Sequence, residues 1–185
     1  MIEPEVKEMR YTRSSREFFE TGVTRDVAYR VGRLKALRQA IRERVERVNA
    51  ALWSDLGKSE GEAYLTEIGM VLGEIDYHVR RLGRWTREQR VATPLAFWPS
   101  RSRVLHEPYG VVLVIAPWNY PFLLLLEPLI GAVSAGNCVL LKPSPFAPTT
   151  TGVIREIVDS VFEPGHVAVF EGDGEVVEEF LRERF

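Results

Sequence analysis

One cysteine, Cys138, stands in 185 residues. No disulfide can form within the chain, which fits a reducing compartment, and the expected location is cytoplasmic. Histidines are few and scattered, at His78, His106 and His166, so no metal is assigned. The sequence lacks a G-x-x-x-x-G-K-[ST] phosphate loop, an H-E-x-x-H pair and a G-x-S-x-G elbow. Its nearest approach to a dinucleotide fingerprint, GDGEVV at 172–177, is missing the third glycine. The opening MIEPEVKEMRYTRSS holds no apolar run of the kind a secretory signal needs. A net charge of −2 gives no reason to expect nucleic acid as a partner.

What is present divides into two textures. Residues 1–110 carry 20 Lys and Arg against 16 Asp and Glu, while residues 111–185 carry 4 against 10. The first part is helical in pattern. Ala28, Val31, Leu34, Ile41, Val45, Val48 and Leu52 recur every three or four residues, with one gap at Leu37 and Arg38, and predict a helix over 24–54. Thr24 is the expected N-cap and Gly57 the stop. Ser59-Glu60-Gly61-Glu62 has capping-box form, and Leu65, Ile68, Leu72, Ile75, Val79 and Leu82 carry a second helix to about residue 85. A short loop between two long helices predicts an antiparallel pair. The arginines of the first helix (Arg25, Arg30, Arg33, Arg38, Arg42, Arg44, Arg47, with Lys35) read as a solvated face, since no aromatic platform for bases accompanies them. Residues 86–102, with Pro94, Pro99, Phe97 and Trp98, read as an irregular connector on the surface, and SRVLHEPYG as a short strand with a turn.

From Val111 the pattern becomes strand, helix, strand, helix, strand. VVLVIAP is a β-branched run of the kind buried on both faces of a parallel sheet. A buried helix with Pro121 in its first turn and Gly136-Asn137 at its end follows. CVLLK and VAVFEG are further strands around the amphipathic APTTTGVIREIVDSVF, and GEVVEEFLRERF begins another helix. The fold class is therefore α/β: a helix pair over residues 1–102, then the first half of a doubly wound, Rossmann-like parallel sheet over 103–185. A membrane span through 111–141 is disfavoured by Pro117, Asn119, Pro121, Glu127 and Pro128, since a charge mid-bilayer costs about 3 kcal/mol.

Ligands of open α/β sheets bind outside the carboxyl ends of the strands. Two such ends carry polar chemistry, Pro117-Trp118-Asn119-Tyr120-Pro121 and Lys142-Pro143-Ser144. An amide there can donate to a developing oxyanion, and a lysine can pair with ribose or phosphate. Asn119 equally suits an N-cap of the next helix, and Lys142 an ordinary solvent-facing strand end.

EPYGVVLVIAPWNYPF followed by GAVSAGNCVLLKPS resembles the aldehyde dehydrogenase superfamily. LWSDLGKSEGEAYLTEIG and TPLAFWPSRSRVLHEPYG are similar to its class 3-like branch, which takes fatty, aromatic and coniferyl aldehydes. The resemblance implies NAD(P)-dependent oxidation of an aldehyde to an acid by a cysteine thiohemiacetal route, commonly in a homodimer. It assigns Asn119 as oxyanion donor and Ile115, Pro117 and Trp118 as the wall against the cofactor. Lys142 and Ser144 fall in its adenosine-ribose motif, Gly172 near the adenine by rough register, and Tyr120 and Leu124 along the aldehyde tunnel. The motif usually continues K-P-S-E, but position 145 is proline, so NADP is expected to be tolerated as well as NAD. The family's nucleophilic cysteine and base glutamate correspond to positions beyond residue 185, and Cys138 reads as a buried structural thiol. The chain alone is therefore expected to be inactive. The alternative is a non-catalytic module that binds a partner fragment or paralogue through an open sheet edge.

Overall fold

The computed structural model describes residues 4–172, 177, 178, 180 and 181. Its helices are α1 (Pro4–Glu20), α2 (Val27–Arg42), α3 (Val45–Leu56), α4 (Glu60–Ala63), α5 (Gly69–Trp85), α6 (Leu123–Ala135) and α7 (Pro148–Val161). Its strands are β1 (Gln89–Val91), β2 (Ser102–Val104), β3 (Val111–Ile115), β4 (Cys138–Lys142) and β5 (Val167–Val169).

The single helix expected over 24–54 is broken. A 3₁₀ turn, Val23–Arg25, precedes α2, and the chain bends at Glu43-Arg44, where Arg44 takes φ −120° and ψ 15°. The bend lets α2 pack on α5, α6 and α7 while α3 packs along α7, which one straight rod could not do. Asp26, not Thr24, caps α2, accepting from the Ala28 amide at 2.9 Å. Leu37 is fully buried, so the apolar stripe has no gap. Gly57 does stop α3, in the left-handed region at φ 66°, and Ser59 does cap α4 by accepting from the Glu62 amide.

The arginine face is not uniformly solvated. Arg30 is buried and donates to the carbonyls of Ser134 and Arg25. Arg38 pairs with Asp76 at 2.8 Å and ties α2 to α5. Arg47 pairs with Glu156 across α3 and α7.

The second helix also departs from its expected phase. A π turn, Tyr64–Ile68, joins α4 to α5. The extra residue in that turn rotates Leu65 to the surface, at 76% exposure, and turns Glu67 inward. Gly69 makes the turn possible, because a Cβ there would lie 2.8 Å from the Tyr64 carbonyl oxygen.

The segment read as an irregular connector contains a strand. β1 pairs antiparallel with β2, Gln89 opposite Val104, and the loop between them exposes Leu95, Phe97 and Trp98.

β3, β4 and β5 form one parallel sheet in that order, with Val111 opposite Cys138 and Val139 opposite Val167. Side chains alternate across it. Val139, Leu141, Val167 and Val169 face the main core with α6, α7 and the helical segment, a core continuous across residue 102. Val111, Cys138, Leu140 and Ala168 face the other side, covered by Tyr11, Phe18 and Phe19 of α1 together with Phe180. Helix α1 was not foreseen, because its apolar spacing is sparse. It supplies the cover that leaves β4 and β5 buried on both faces, while β3, expected to be equally buried, is half-buried with Ile115 exposed. The helix expected over 174–185 lies mostly outside the described residues. Among the described residues no helix is long and apolar enough to cross a membrane, and the apolar stretch 111–141 is strand, helix and strand.

Candidate active site at the carboxyl ends of the strands

Parallel register brings three strand ends to one edge of the sheet. Ile115 lies opposite Lys142, and the Phe170 amide bonds the Leu141 carbonyl, so the segments after Ile115, Lys142 and Val169 leave the sheet together. Pro117, Trp118, Asn119 and Tyr120 are exposed in the β3–α6 loop. Lys142 and Ser144 are buried at the end of β4, and Pro145 is exposed beyond them. Gly172 follows β5 at the same edge. Leu124 is half-buried in the first turn of α6, against the core.

Asn119 does not cap α6. Phe122 stands at the cap position, and its amide and that of Leu123 donate to one oxygen of Glu67, at 2.8 and 3.1 Å. The other Glu67 oxygen lies 2.6 Å from Lys58 Nζ. Lys58 also donates to the Asn119 carbonyl at 3.0 Å, and its ammonium sits 3.9 Å from the centre of the Tyr120 ring. Lys58 is 7% exposed and Glu67 is fully buried. The Asn119 backbone is thereby tied down while its side chain stays at the surface.

A second carboxylate does the same for α7. Asp55, at the end of α3, accepts from the Thr149 and Thr150 amides at 3.2 and 2.7 Å. Burial works to raise its pKa, but the bonds from Thr150 and Thr149 outweigh that and hold it below the usual carboxylate value. The positive ends of α6 and α7 both point at the crevice, and each is satisfied by an acid from the helical segment. An anionic ligand there has to find other donors.

Reading the sequence for strand ends found the crevice residues but missed Lys58, Glu67 and Asp55. A signal existed for Glu67: it is four residues from buried Ala63 and four from buried Val71, a charge in an apolar stripe. Cys138 is buried at the start of β4, the opposite end of the strand from the crevice, and burial pushes its thiol up to about 12. It is no nucleophile for this site.

A parallel sheet with an amide and a lysine at adjacent strand ends carries its polar chemistry at the edge where open α/β folds take their ligands. The aldehyde dehydrogenase family model matches residues 8–184, and the chain belongs to that family. It is 44% identical over 158 residues to 4,4'-diaponeurosporen-aldehyde dehydrogenase of Staphylococcus aureus, covering 85% of this chain and 34% of that protein. It is 37% identical over 171 residues to the dimeric NADP-preferring aldehyde dehydrogenase of Rattus norvegicus, covering 92% and 38%. Among solved structures, substrate-bound AldH of Staphylococcus aureus superposes with a TM-score of 0.91 at 40% identity, over 94% of this chain and 38% of that one. The chain spans about a third of the length of the curated relatives it matches.

Proposed function

We propose that the chain supplies the oxyanion and cofactor side of an NAD(P)-dependent aldehyde dehydrogenase site. The observation that carries this reading is Asn119, exposed at the strand end on a backbone pinned by Lys58. In this role the Asn119 side-chain amide donates to the oxygen of the aldehyde as negative charge builds on it. A loop already tied down by Lys58 and bounded by Pro117 and Pro121 needs little reorganisation at that moment. The thiolate that attacks the aldehyde and the base that activates water come from outside these 185 residues. The family relationship supports that division, as does the position of Cys138 at the far end of its strand.

The donor set suits a dinucleotide. An ammonium and a hydroxyl, Lys142 and Ser144, stand at the end of one strand, and exposed Ile115, paired with Lys142, and Trp118 stand at the end of its neighbour, a set that offers polar groups for ribose and apolar surface for a flat ring. A bound nicotinamide would supply the hydride acceptor that oxidation of an aldehyde to an acid requires. Lys142 would hold ribose hydroxyls, Gly172 would border the adenine, Pro117 and Trp118 would wall the ring, and Tyr120 and Leu124 would line the aldehyde's approach. With proline at 145, no carboxylate at that position repels a 2′-phosphate, so NADP binds at least as well as NAD. A tenfold preference for NAD in titrations of both cofactors defeats that part.

The test is a chimera in which residues 1–185 replace the matching third of the Staphylococcus aureus relative. Asn119→Ala should lower kcat about 10²–10³-fold with little change in KM, the cost of one oxyanion donor. A loss under threefold removes the oxyanion role. The 185-residue chain alone should show no turnover with NAD, NADP and a medium-chain aldehyde. Steady turnover abolished by Cys138→Ala would overturn the assignment of that thiol.

Dimerisation is part of the same proposal, supported by Leu95, Phe97 and Trp98 exposed on the β1–β2 loop. A second reading, an assembly module without turnover, is favoured by the outer edge of β3, which no other described strand pairs and where Ile115 is 45% exposed. Size-exclusion chromatography separates them from a self-sufficient monomer. A cytoplasmic location goes with the single reduced thiol.

A further inference from the structure

We propose that the buried Lys58–Glu67 pair is the positioning device of the Asn119 loop, a role that rests on the oxyanion reading of Asn119. Removing both charges from water is costly, and apolar residues of similar volume hold a core together at least as well. Fold stability alone does not account for such a pair. Its geometry does. Glu67 accepts from Lys58 and from the Phe122 and Leu123 amides, so both carboxylate oxygens are used. Lys58 spends one direction on Glu67, one on the Asn119 carbonyl and one over the Tyr120 ring, all three that an ammonium offers. The two side chains thus fix four points on the peptide from Asn119 to Leu123. With the carbonyl of Asn119 held toward Lys58, the direction open to its side chain is set before any substrate arrives.

The charges matter as well as the contacts. The free amides at the start of α6 would attract an anion. Glu67 takes them, and Lys58 cancels the charge that Glu67 brings. An oxyanion at the strand end then meets neither the helix terminus nor a bare carboxylate, and Asn119 is left as the donor on this side. The π turn is the backbone device that swings Glu67 into position, and Gly69 is what lets the turn close.

The test uses site-resolved amide exchange by NMR on the 185-residue chain. In a Lys58→Met/Glu67→Leu double variant, the Phe122 and Leu123 amides should exchange at least tenfold faster than in the parent. The Leu140 and Leu141 amides of β4 should stay within twofold, and the Asn119 side-chain amide signals should move. Uniform acceleration of all these amides, or none, overturns the proposal. Should the double variant not fold, Glu67→Gln provides the same comparison with a milder change. The parent chain needs no variant for a third measurement: slowly exchanging Lys58 ammonium protons with Overhauser contacts to the Tyr120 ring. Their absence overturns the proposal too. None of these readouts involves substrate. They can fail while Asn119→Ala still cripples the chimera, and succeed while it does not, so the two readings fall separately.

Discussion

His166 is a neutral base sealed into the core, and acid should destabilise the fold through it. The ring is fully buried, stacked on Phe18 with centroids 5.5 Å apart and edge-on to Phe162 at 5.2 Å. Its Nδ1 lies 3.0 Å from the Tyr29 hydroxyl, which donates in turn to Glu163. Burial pulls the imidazole down from 6.5 to about 4, with Glu163 opposing and Arg33 adding to the shift. The folded pKa is thus below the unfolded one. As pH falls through 6.5 the unfolded chain takes the proton first, so stability drains away between about pH 6.5 and 4 and levels off below that. At about 1.4 kcal/mol per pKa unit, the full effect is about 3 kcal/mol, and about 2.5 kcal/mol of it is spent between pH 7.5 and 4.5. Urea unfolding at those two pH values, followed by tryptophan fluorescence, measures it. His166→Gln cannot take up the proton and should lose about 2.5 kcal/mol less than the parent over the same interval. Equal losses in both proteins would refute the reasoning.

Asp55→Ala strips the acceptor from the Thr149 and Thr150 amides and should cost about 1–2 kcal/mol in urea unfolding at pH 7.5, as loss of a cap does. Because that carboxyl is held below its ordinary value, its contribution is present above the unfolded pKa near 3.8 and fades only as pH falls below it, clear of the His166 window. Gly69→Ala puts a methyl 2.8 Å from a backbone oxygen that cannot step aside, and should cost about 1–3 kcal/mol by the same measurement. Cys138 should resist a thiol-disulfide reagent at pH 8 in the native chain and react within seconds in 6 M guanidinium chloride, on the order of a hundredfold faster, because burial holds the thiol protonated and shielded.

Regular periodicity survives tertiary packing where an element runs without a bend or a change of phase. β3, α6, β4, α7 and β5 were all legible as elements, because a strand buried on both faces, as β4 is, and a helix lying on it need long apolar runs; β3 is half-buried instead, since no other described strand pairs its outer edge. Legibility failed where the chain bends or a phase changes mid-run. The bend at Arg44 is invisible in a stripe that continues through it. The π turn shifts the count by one, which sent Leu65 outward and Glu67 inward against the expected phase. Helix α1 carries no long apolar run in the sequence, and the sheet face that its Tyr11, Phe18 and Phe19 cover is apparent only once the sheet exists. β1 is three residues long, with all three exposed, and carries no alternation to read.

The residues at the strand ends follow from the sequence by itself: parallel strands must end together, so Asn119 and Lys142 had to share an edge once VVLVI and CVLLK were strands. The identity of what holds Asn119 still was decided only in three dimensions. Lys58 and Glu67 lie 61 and 52 residues before Asn119 in the chain, and no local rule links a lysine after a helix stop to a carbonyl in a distant loop. Burial makes that link, because a charge removed from water must find every partner it can reach, and the partners within reach were set by how the π turn and α5 pack against α6.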